Sequence, residues 1–330
     1  MLRKLRLLLA SKKLFTNWLE AGFRFNLVKY KVVRNGVIVK CDGRRYELSP
    51  RAYTWILNAN VRGVVKGVLC SNYLTVNLNL GDIPASLTVL YDRFLLNYGG
   101  MFLLIPTANI LDDVVFENIV GGAYDDLNVN GKVVVDVGAG IGDTVILFLS
   151  RGARTVIALE PFPSLYKLME TNVKLNNIGG KVTLLNAALG PSDAEICNFV
   201  DEVLDYRQFK PGEARGGECK EKVKVYTLDS LVSMFDIENA ILKVDCEGCE
   251  YETILTTHLE TLKLFNQIII EYHNGYWRLK RILEEAGFKT IIKPIRSFNV
   301  PIKKQGYIVA LRDTPFWEER LIDNESEGPF

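Results

Sequence analysis

The sequence predicts an α/β protein whose main domain is a doubly wound, mainly parallel sheet with an antiparallel last strand. Short apolar runs rich in β-branched residues alternate with helical patterns between positions 133 and 311. The last two apolar runs, 288–292 and 307–311, have no helical pattern between them. The final strand should therefore pair antiparallel. The first third of the chain lacks this alternation and is expected to form a small α+β domain.

Length and composition set the domain organisation. A chain of 330 residues accommodates one large domain or two small ones. We expect an accessory α+β domain over 1–126, a catalytic domain over 127–312 and an acidic tail over 313–330. The formal net charge of +1 provides no global attraction for nucleic acid. No run is apolar for long enough to span a bilayer, and no signal peptide is recognised, so the cytoplasm is the expected location.

The N-terminal region begins with a basic amphipathic pattern. Residues 1–20 combine leucines with five basic side chains, which predicts one helix. Such a helix either contacts a membrane surface or an anionic partner, or packs on its own domain, and the second interpretation is favoured. Ser49-Pro50 predicts the start of another helix, and Cys41-Asp42-Gly43-Arg44 predicts a hairpin turn. Strand patterns follow over 64–80 and 101–105, and a helical pattern covers 112–120.

The catalytic region is expected to alternate regularly. Helices are predicted over 144–150, 163–175, 228–235, 251–262 and 276–286. Strands are predicted over 133–137, 154–159, 181–185, 194–199, 222–226, 240–244 and 267–270, before the final two. A polar segment over 201–221 with Lys210-Pro211-Gly212 is predicted to be a mobile loop that helps to select the substrate.

A glycine-rich turn follows the first strand of this region. Gly138 and Gly140 fit the dinucleotide pattern G-x-G-x-x-G, but Asp143 stands where the third glycine belongs. A carboxylate at a helix N-terminus would repel a pyrophosphate and suits a cofactor with positive groups. S-adenosyl-L-methionine, with its sulfonium and ammonium, is such a cofactor. The residues expected to bind it here are Asp136, Gly138, Ala139, Gly140, Gly142, Asp143 and Thr144.

The next two strand ends supply further cofactor candidates, because ligands of such sheets lie beyond the carboxyl ends of the strands. Glu160-Pro161 stands about 20 residues past the glycine turn, where an acidic residue accepts ribose hydroxyls. Asn186-Ala187 follows the third strand. The Asn186 amide either binds the adenine edge or caps the turn, and both interpretations stay open.

The fourth and fifth strand ends carry acidic residues. Asp245 and Glu247 end the fourth strand, and Glu271 and His273 end the fifth. Crowded carboxylates raise at least one pKa, which prepares a general base or favours a nearby cation such as a sulfonium. We expect these four residues to be catalytic and Asp245 also to contact the cofactor. The plain alternative, acidic residues decorating a helix N-terminus, explains Glu250 and Glu252 well but Asp245 poorly.

Metal and cysteine chemistry are expected to be minor. The six cysteines include Cys246-Glu247-Gly248-Cys249, which is either redox-active or half of a zinc site if it is not incidental. With only two histidines, structural or incidental thiols are favoured. A divalent metal at the Asp245/Glu247/Glu271 edge is an open variant, but no metal is expected.

The motifs together resemble the FkbM-type family of S-adenosylmethionine-dependent methyltransferases. The resemblance implies the class I methyltransferase fold, a doubly wound sheet of seven strands with the last one antiparallel. The resemblance spans about 127–312 and rests on five motifs: 135–143, Leu159-Glu160-Pro161, 186–190, 242–250 and 270–273. The family usually has small apolar residues at the positions of Cys246 and Cys249, which favours packing thiols. The resemblance implies O-methylation of a hydroxyl on a sugar, glycan or small metabolite.

Two other functions remain open. Methylation of RNA or another nucleic acid is disfavoured because the Asp/Asn-Pro-Pro-aromatic motif of exocyclic-amine methyltransferases is absent, and only the basic N-terminal helix supports it. A binding protein that has lost turnover is disfavoured by the complete acidic cluster.

Overall fold

The computed structural model describes residues 2–34, 36–198, 221–295 and 304–312. The predicted loop over 201–221 lies outside these residues except for Glu221, and the predicted tail over 313–330 lies wholly outside them. The chain divides into two units. Unit 1 comprises Met1–Ala123 with Lys174–Asn177, and unit 2 comprises Tyr124–Val173 with Ile178–Phe330.

Unit 1 joins helices to a five-stranded antiparallel meander. Its elements are α1 (Leu2–Leu14), α2 (Trp18–Lys29), β1 (Val37–Cys41), β2 (Arg44–Leu48), α3 (Pro50–Val61), β3 (Val65–Cys70), β4 (Leu74–Leu80), β5 (Ile83–Leu90), β6 (Arg93–Tyr98), β7 (Met101–Ile105) and α4 (Ala108–Asp112). Strands β1 and β2 form a separate hairpin, whereas β3 to β7 pair in chain order. A π-helical segment, Asp113–Ile119, continues from α4.

Local sequence signals account for several boundaries in unit 1. The Ser49 side chain accepts a hydrogen bond from the Ala52 N–H at 2.9 Å, so the predicted cap at Ser49-Pro50 is confirmed. Asp42 and Gly43 both have positive φ and make the predicted turn between β1 and β2. The single helix predicted over 1–20 is wrong, because the chain breaks between Leu14 and Trp18 into α1 and α2.

Unit 2 contains the predicted seven-stranded sheet. Its elements are β8 (Val133–Val137), α5 (Asp143–Ser150), β9 (Thr155–Leu159), α6 (Pro163–Leu175), β10 (Val182–Leu185), β11 (Ala187–Leu189), β12 (Ala194–Asn198), β13 (Glu221–Tyr226), α7 (Leu228–Phe235), β14 (Ala240–Val244), α8 (Glu250–Ile254), α9 (Leu259–Leu262), β15 (Phe265–Tyr272), α10 (Trp277–Glu285), β16 (Lys289–Pro294) and β17 (Gly306–Leu311). The strand order is β10-β9-β8-β14-β15-β17-β16.

The sheet has the predicted direction pattern. Strand β17 runs antiparallel to both of its neighbours, β15 and β16, whereas the other neighbouring strands are parallel. All five residues of β14 are buried, as expected of a central parallel strand covered on both faces. The chain order reverses between β8 and β14, so the crevice at their carboxyl ends is the topological switch point where ligands of such sheets bind.

Two features of unit 2 differ from the prediction. Strands β11, β13 and β12 form a small separate sheet, because β11 pairs parallel with β13 and β12 pairs antiparallel with it. The helix predicted over 251–262 is two short helices, α8 and α9, separated at Thr256-Thr257-His258. Among the described residues, no helix has both the length and the apolar character that are needed to cross a membrane.

Candidate active site

The glycine turn brings the ends of β8 and β14 together. A Cβ atom at Gly138 would lie 1.8 Å from the Asp245 carbonyl oxygen, so only glycine allows this approach. The N–H groups of Gly138 and Ala139 both donate to the Leu159 carbonyl, at 3.0 and 2.9 Å. The turn therefore ties β8 to β9 as well as approaching β14, and these two N–H groups already have partners.

A buried ion pair lies beneath this turn. The Lys243 ammonium, 1% exposed, is 3.0 Å from one carboxylate oxygen of Asp136, which is fully buried. The other Asp136 oxygen accepts a hydrogen bond from the Thr144 hydroxyl at 2.5 Å. Lys243 also donates to the carbonyl oxygens of Gly138, at 2.7 Å, and Val137, at 3.3 Å. Burial opposes the charge, but Asp136 and Asp245 hold the pKa of Lys243 above its usual value.

The hydrogen bond between Thr144 and Asp136 is thus buried in the protein interior. Their placement favours positioning of the glycine turn over direct contact with a ligand. Lys243 was not among the predicted site residues. The signal for it was a lone charged side chain within the otherwise apolar strand run 240–244.

Glu160 lies at the end of β9 and is 3% exposed. One of its carboxylate oxygens accepts the Gly140 N–H at 2.8 Å, and the other accepts the Phe162 N–H at 2.9 Å. Burial raises the pKa of Glu160 to about 8, although these two backbone bonds oppose the shift. Below about pH 8 the group is therefore protonated, so its hydroxyl can donate one hydrogen bond and its carbonyl oxygen can accept one more.

Asn186 holds the turn beside Glu160. Its amide nitrogen donates to the Glu160 carbonyl at 2.8 Å and to the Pro161 carbonyl at 3.3 Å. The amide nitrogen of Asn186 thus caps the turn, which is one of the two interpretations left open by the sequence. Asn186 and Ala187 therefore connect the third strand end to the second, and Ala187 itself is buried.

A cleft with a cavity volume of about 40 Å³ opens where these strand ends meet. Its lining residues are Val137, Gly138, Pro161, Phe162, Ala187, Ala188, Leu189, Ile196, Cys246, Glu247 and Cys249. Most of these are apolar, and the carboxylate of Glu247 is the exception. A cleft with apolar walls and few charged groups is typical of a cofactor site.

The acidic cluster lies beside this cleft and surrounds His273. The Nδ1 atom of His273 is 2.8 Å from a carboxylate oxygen of Glu250, which is fully buried. Its Nε2 atom is 3.4 Å from Glu247 and 3.5 Å from Glu271. Burial disfavours the charged ring, but the hydrogen bonds to Glu250 and Glu271 raise the pKa of His273 to about 11. His273 is therefore an imidazolium at neutral pH.

Asp245 differs from the other carboxylates of the cluster. Burial raises its pKa well above the usual value, and the negative charges of Glu271 and Glu247 raise it further against the opposing effect of Lys243. Burial would also raise the pKa of Glu271, but its hydrogen bonds with His273 and Gln305 hold that pKa below its usual value. Among the carboxylates of Asp245, Glu247, Glu250 and Glu271, that of Glu247 is the most exposed. The backbone of Glu247 has a positive φ of 56°.

Tyr124 adds a neutral donor to the cluster. Its hydroxyl donates to a carboxylate oxygen of Asp245 at 3.4 Å, and its ring lies 5.9 Å from the Lys243 ammonium. No sequence pattern marks Tyr124, because 121 residues separate it from Asp245. Glu250, which orients His273, was in the recognised motif but not among the predicted site residues.

The two cysteines of the cleft form a disulfide. The Cα atoms of Cys246 and Cys249 are 5.5 Å apart, within the usual range for a disulfide, and Cys41 pairs with Cys70 in unit 1. The prediction of packing thiols is therefore wrong for Cys246 and Cys249. The Cys41–Cys70 pair was beyond sequence reasoning, because β1 and β3 bring together cysteines 29 residues apart.

Asp245, Glu247 and His273 also have the geometry of a cation site. One ligand atom from each lies within 4.8 Å of the others. The metal site considered from the sequence consisted of Asp245, Glu247 and Glu271. In the structure His273, and not Glu271, completes the group with Asp245 and Glu247.

Comparison with known proteins identifies the catalytic region. Residues 136–298 match the family model of the methyltransferase FkbM domain. This part of the chain is a methyltransferase FkbM domain. Its cofactor is S-adenosyl-L-methionine, and the recognised resemblance is confirmed.

Individual relatives are more distant. The ribosomal protein L11 methyltransferase of Aeromonas salmonicida (strain A449) is 34% identical over 80 residues, which are 24% of this chain and 27% of that protein. The chain thus spans about a quarter of the length of this curated relative.

Among solved structures, methyltransferase FkbM from Methylobacillus flagellatus KT is 15% identical, with a TM-score of 0.37, and the match covers 55% of this chain and 43% of that one. M. jannaschii TYW2 in complex with AdoMet is 18% identical, with a TM-score of 0.37, and the match covers 75% of this chain and 93% of that one.

The residues of the FkbM domain fit this cofactor. The apolar walls of the cleft suit a nucleobase, and the Glu160 carboxyl can form further hydrogen bonds with hydroxyl groups. The carboxylates of Asp245 and Glu247 suit the positive groups of a sulfonium amino acid. Asp143 begins α5 at the other side of the glycine turn, as predicted from the departure from G-x-G-x-x-G.

Proposed function

We propose that this methyltransferase methylates a hydroxyl group of a sugar, glycan or small metabolite, with Asp245 as the general base. The catalytic domain is assigned to 127–312, and 1–126 is assigned to an accessory domain. The observation that carries the proposal is Asp245 itself: a carboxylate with a raised pKa, at the end of β14, beside the cleft-lining residue Glu247. A raised pKa makes a carboxylate a stronger base, which suits proton removal from a hydroxyl.

The surroundings favour Asp245 over the other three candidates. His273 is already protonated at neutral pH, so it has no lone pair with which to accept a proton. Glu271 has a lowered pKa and is engaged by Gln305 and His273. These two residues, together with Glu247, set the charge around Asp245, and Glu250 fixes the orientation of His273.

The chain contributes orientation and proton removal. When bound, S-adenosyl-L-methionine supplies a methyl group attached to a positively charged sulfur. The apolar cleft would exclude water, and the glycine turn and Glu160 would hold the cofactor, so that the acceptor hydroxyl could be oriented beside Asp245. Asp245 would accept the proton that the acceptor hydroxyl gives up when it receives the methyl group. The Lys243 ammonium and the Tyr124 hydroxyl keep the Asp245 carboxylate in place.

The test is Asp245→Asn, with Glu252→Gln as the matched control. Glu252 lies on the adjacent helix α8 and carries an exposed carboxylate. Turnover is followed as transfer of a labelled methyl group to sugars and glycans extracted from the native cell, and cofactor binding is followed by calorimetry. We expect Asp245→Asn to lower turnover by roughly 10²–10⁴-fold while the cofactor still binds, because general-base catalysis contributes about that much. Full turnover in Asp245→Asn would refute the assignment.

The pH profile gives an independent readout. The base works only when ionised, so kcat/KM of the wild type should rise with pH through a pKa above that of an ordinary aspartate. This rise should be missing from any residual activity of Asp245→Asn. Because the proposed base needs no metal, a chelator should leave turnover unchanged. Loss of turnover with restoration by Mg²⁺ or Mn²⁺ would assign Asp245, Glu247 and His273 to a cation instead.

A nucleic-acid acceptor is the alternative, and the basic residues near the N-terminus favour it. Total RNA is therefore included among the acceptors. If the labelled methyl group enters RNA, and this transfer depends steeply on salt, the substrate is RNA and not a sugar or metabolite hydroxyl. Formation of no S-adenosylhomocysteine with any acceptor would favour a binding protein.

The cytoplasm is the proposed location, and the disulfides Cys41–Cys70 and Cys246–Cys249 are the observation that opposes it, since disulfides persist mainly in oxidising compartments. Alkylation of thiols in acid-quenched native cells, followed by mass spectrometry, distinguishes a reducing compartment such as the cytoplasm from an oxidising one. Reduced Cys41 and Cys246 would agree with the cytoplasm, and oxidised pairs would contradict it.

A further inference from the structure

Helices α1 and α2 present large apolar side chains to solvent. Leu19, Phe23 and Tyr30 of the α2 region are 61%, 67% and 70% exposed, and Leu5 and Leu9 of α1 are more than half exposed. Spacings of four and seven residues place Leu19, Phe23 and Tyr30 along one side of the α2 helical path. The same spacing of four places Leu5 and Leu9 together on α1. We refer to these five side chains as the apolar helix face.

The opposite sides of both helices are anchored within unit 1. Ala10 of α1 and Ala21 of α2 are buried, and the Ser11 hydroxyl is hydrogen-bonded to that of Tyr53 in α3 at 2.8 Å. The Asn17 side chain, between the helices, accepts the Lys40 N–H of β1 at 2.6 Å. The expectation that this region packs on its own domain is therefore confirmed, but the packing leaves the apolar helix face uncovered within unit 1.

Positive charge is concentrated in the same segment. Residues 1–31 contain eight basic residues and one acidic residue, whereas the whole chain has a net charge of +1. The basic residues are Arg3, Lys4, Arg6, Lys12, Lys13, Arg24, Lys29 and Lys31. The single acidic residue, Glu20, is paired with Lys40 at 3.1 Å. The net positive charge of the segment is thus far higher than that of the remaining chain.

We propose that the apolar helix face docks on the surface of an anionic lipid bilayer. A segment that combines basic residues with exposed Leu and Phe side chains matches a negatively charged headgroup layer over a hydrocarbon interior. A polyanion such as RNA would attract the charges but would leave Leu5, Leu9 and Leu19 in water. A second copy of the chain would bring two strongly positive segments together, which costs free energy. The lipid surface is the one partner that uses both features.

The experiment is cosedimentation of the full-length protein with vesicles. One set contains equal parts of phosphatidylglycerol and phosphatidylcholine, and the other contains phosphatidylcholine alone. We expect binding to the anionic vesicles, weakening with added salt, and little binding to the neutral ones. The double variant Leu19→Ser/Phe23→Ser should bind about tenfold or more weakly, because both side chains lose burial in the bilayer. Lys4→Gln/Lys13→Gln should bind about fivefold more weakly per charge removed.

Matched variants on the same unit control for general surface effects. Leu69→Ser/Tyr73→Ser removes two side chains of similar exposure, and Lys66→Gln removes an exposed charge on β3. These variants should bind as the wild type does, and circular dichroism should show all of them folded. Absence of vesicle binding by the wild type would overturn the proposal, as would unchanged binding of Leu19→Ser/Phe23→Ser. Binding to a single-stranded RNA homopolymer without binding to vesicles would also overturn it, in favour of nucleic acid.

Discussion

Replacement of Lys243 by methionine tests whether the buried ion pair holds the site together. Lys243 and Asp136 are essentially inaccessible to solvent and their charged atoms are 3.0 Å apart. In Lys243→Met the Asp136 carboxylate keeps only its hydrogen bond from Thr144. The Gly138 and Val137 carbonyls lose their shared donor at the same time. The side chains of lysine and methionine are similar in length, so the change removes charge more than volume.

The expected loss of stability is large. Removing one partner of a buried ion pair costs about 3–5 kcal/mol, because the remaining charge stays in the interior without compensation. Neutralising that charge should recover part of the loss. The double variant Asp136→Asn/Lys243→Met should therefore be more stable than the sum of the single effects predicts, with a coupling energy above about 1 kcal/mol. Cofactor affinity should fall in Lys243→Met, since the glycine turn loses the donor beneath it.

Urea unfolding followed by far-ultraviolet circular dichroism measures the stability, and calorimetry measures the affinity. Lys222→Met is the matched control. Lys222 lies in β13 and forms an exposed pair with Glu195 at 3.6 Å, so its replacement should change the stability by at most about 1 kcal/mol. A cost for Lys243→Met no greater than that of the control, or strict additivity with Asp136→Asn, would refute the reasoning.

Two further predictions follow from the raised pKa values. Because burial raises the pKa of Glu160 to about 8, wild-type stability should fall from the ordinary pKa of 4.5 up to about pH 8, and urea titrations of Glu160→Gln should lack this fall. The pKa of His273 rises to about 11 through Glu250 and Glu271, against the effect of burial. Its stabilising contribution is complete below pH 6.5 and lost through pH 11, so the stability difference between wild type and His273→Asn should shrink as the pH rises. A constant difference would contradict the assignment of His273 as a buried cation.

The fold was largely predictable because its signals are local. Continuous apolar runs identify β8, β14 and the other buried strands, and the missing helical pattern before 307–311 identifies the antiparallel strand. The break between α1 and α2 and the small β11-β13-β12 sheet were missed. Each depends on packing against elements distant along the chain, which overrides the local pattern.

The sequence by itself determined which carboxylates and glycines lie at the strand ends, since a strand's end and the turn after it are set by neighbouring residues. The sequence did not determine which of these groups is charged, which is neutral, and which can act as a base. Tyr124 reaches Asp245 across 121 residues, and Lys243 reaches the Gly138 carbonyl across 105. Glu250 holds His273 across 23 residues. Only the tertiary structure brings these groups together, and their surroundings then fix their charges. Hydrogen bonds with Glu250 and Glu271 raise the pKa of His273 against the effect of burial, whereas burial itself raises the pKa of Asp245 until it can serve as a base.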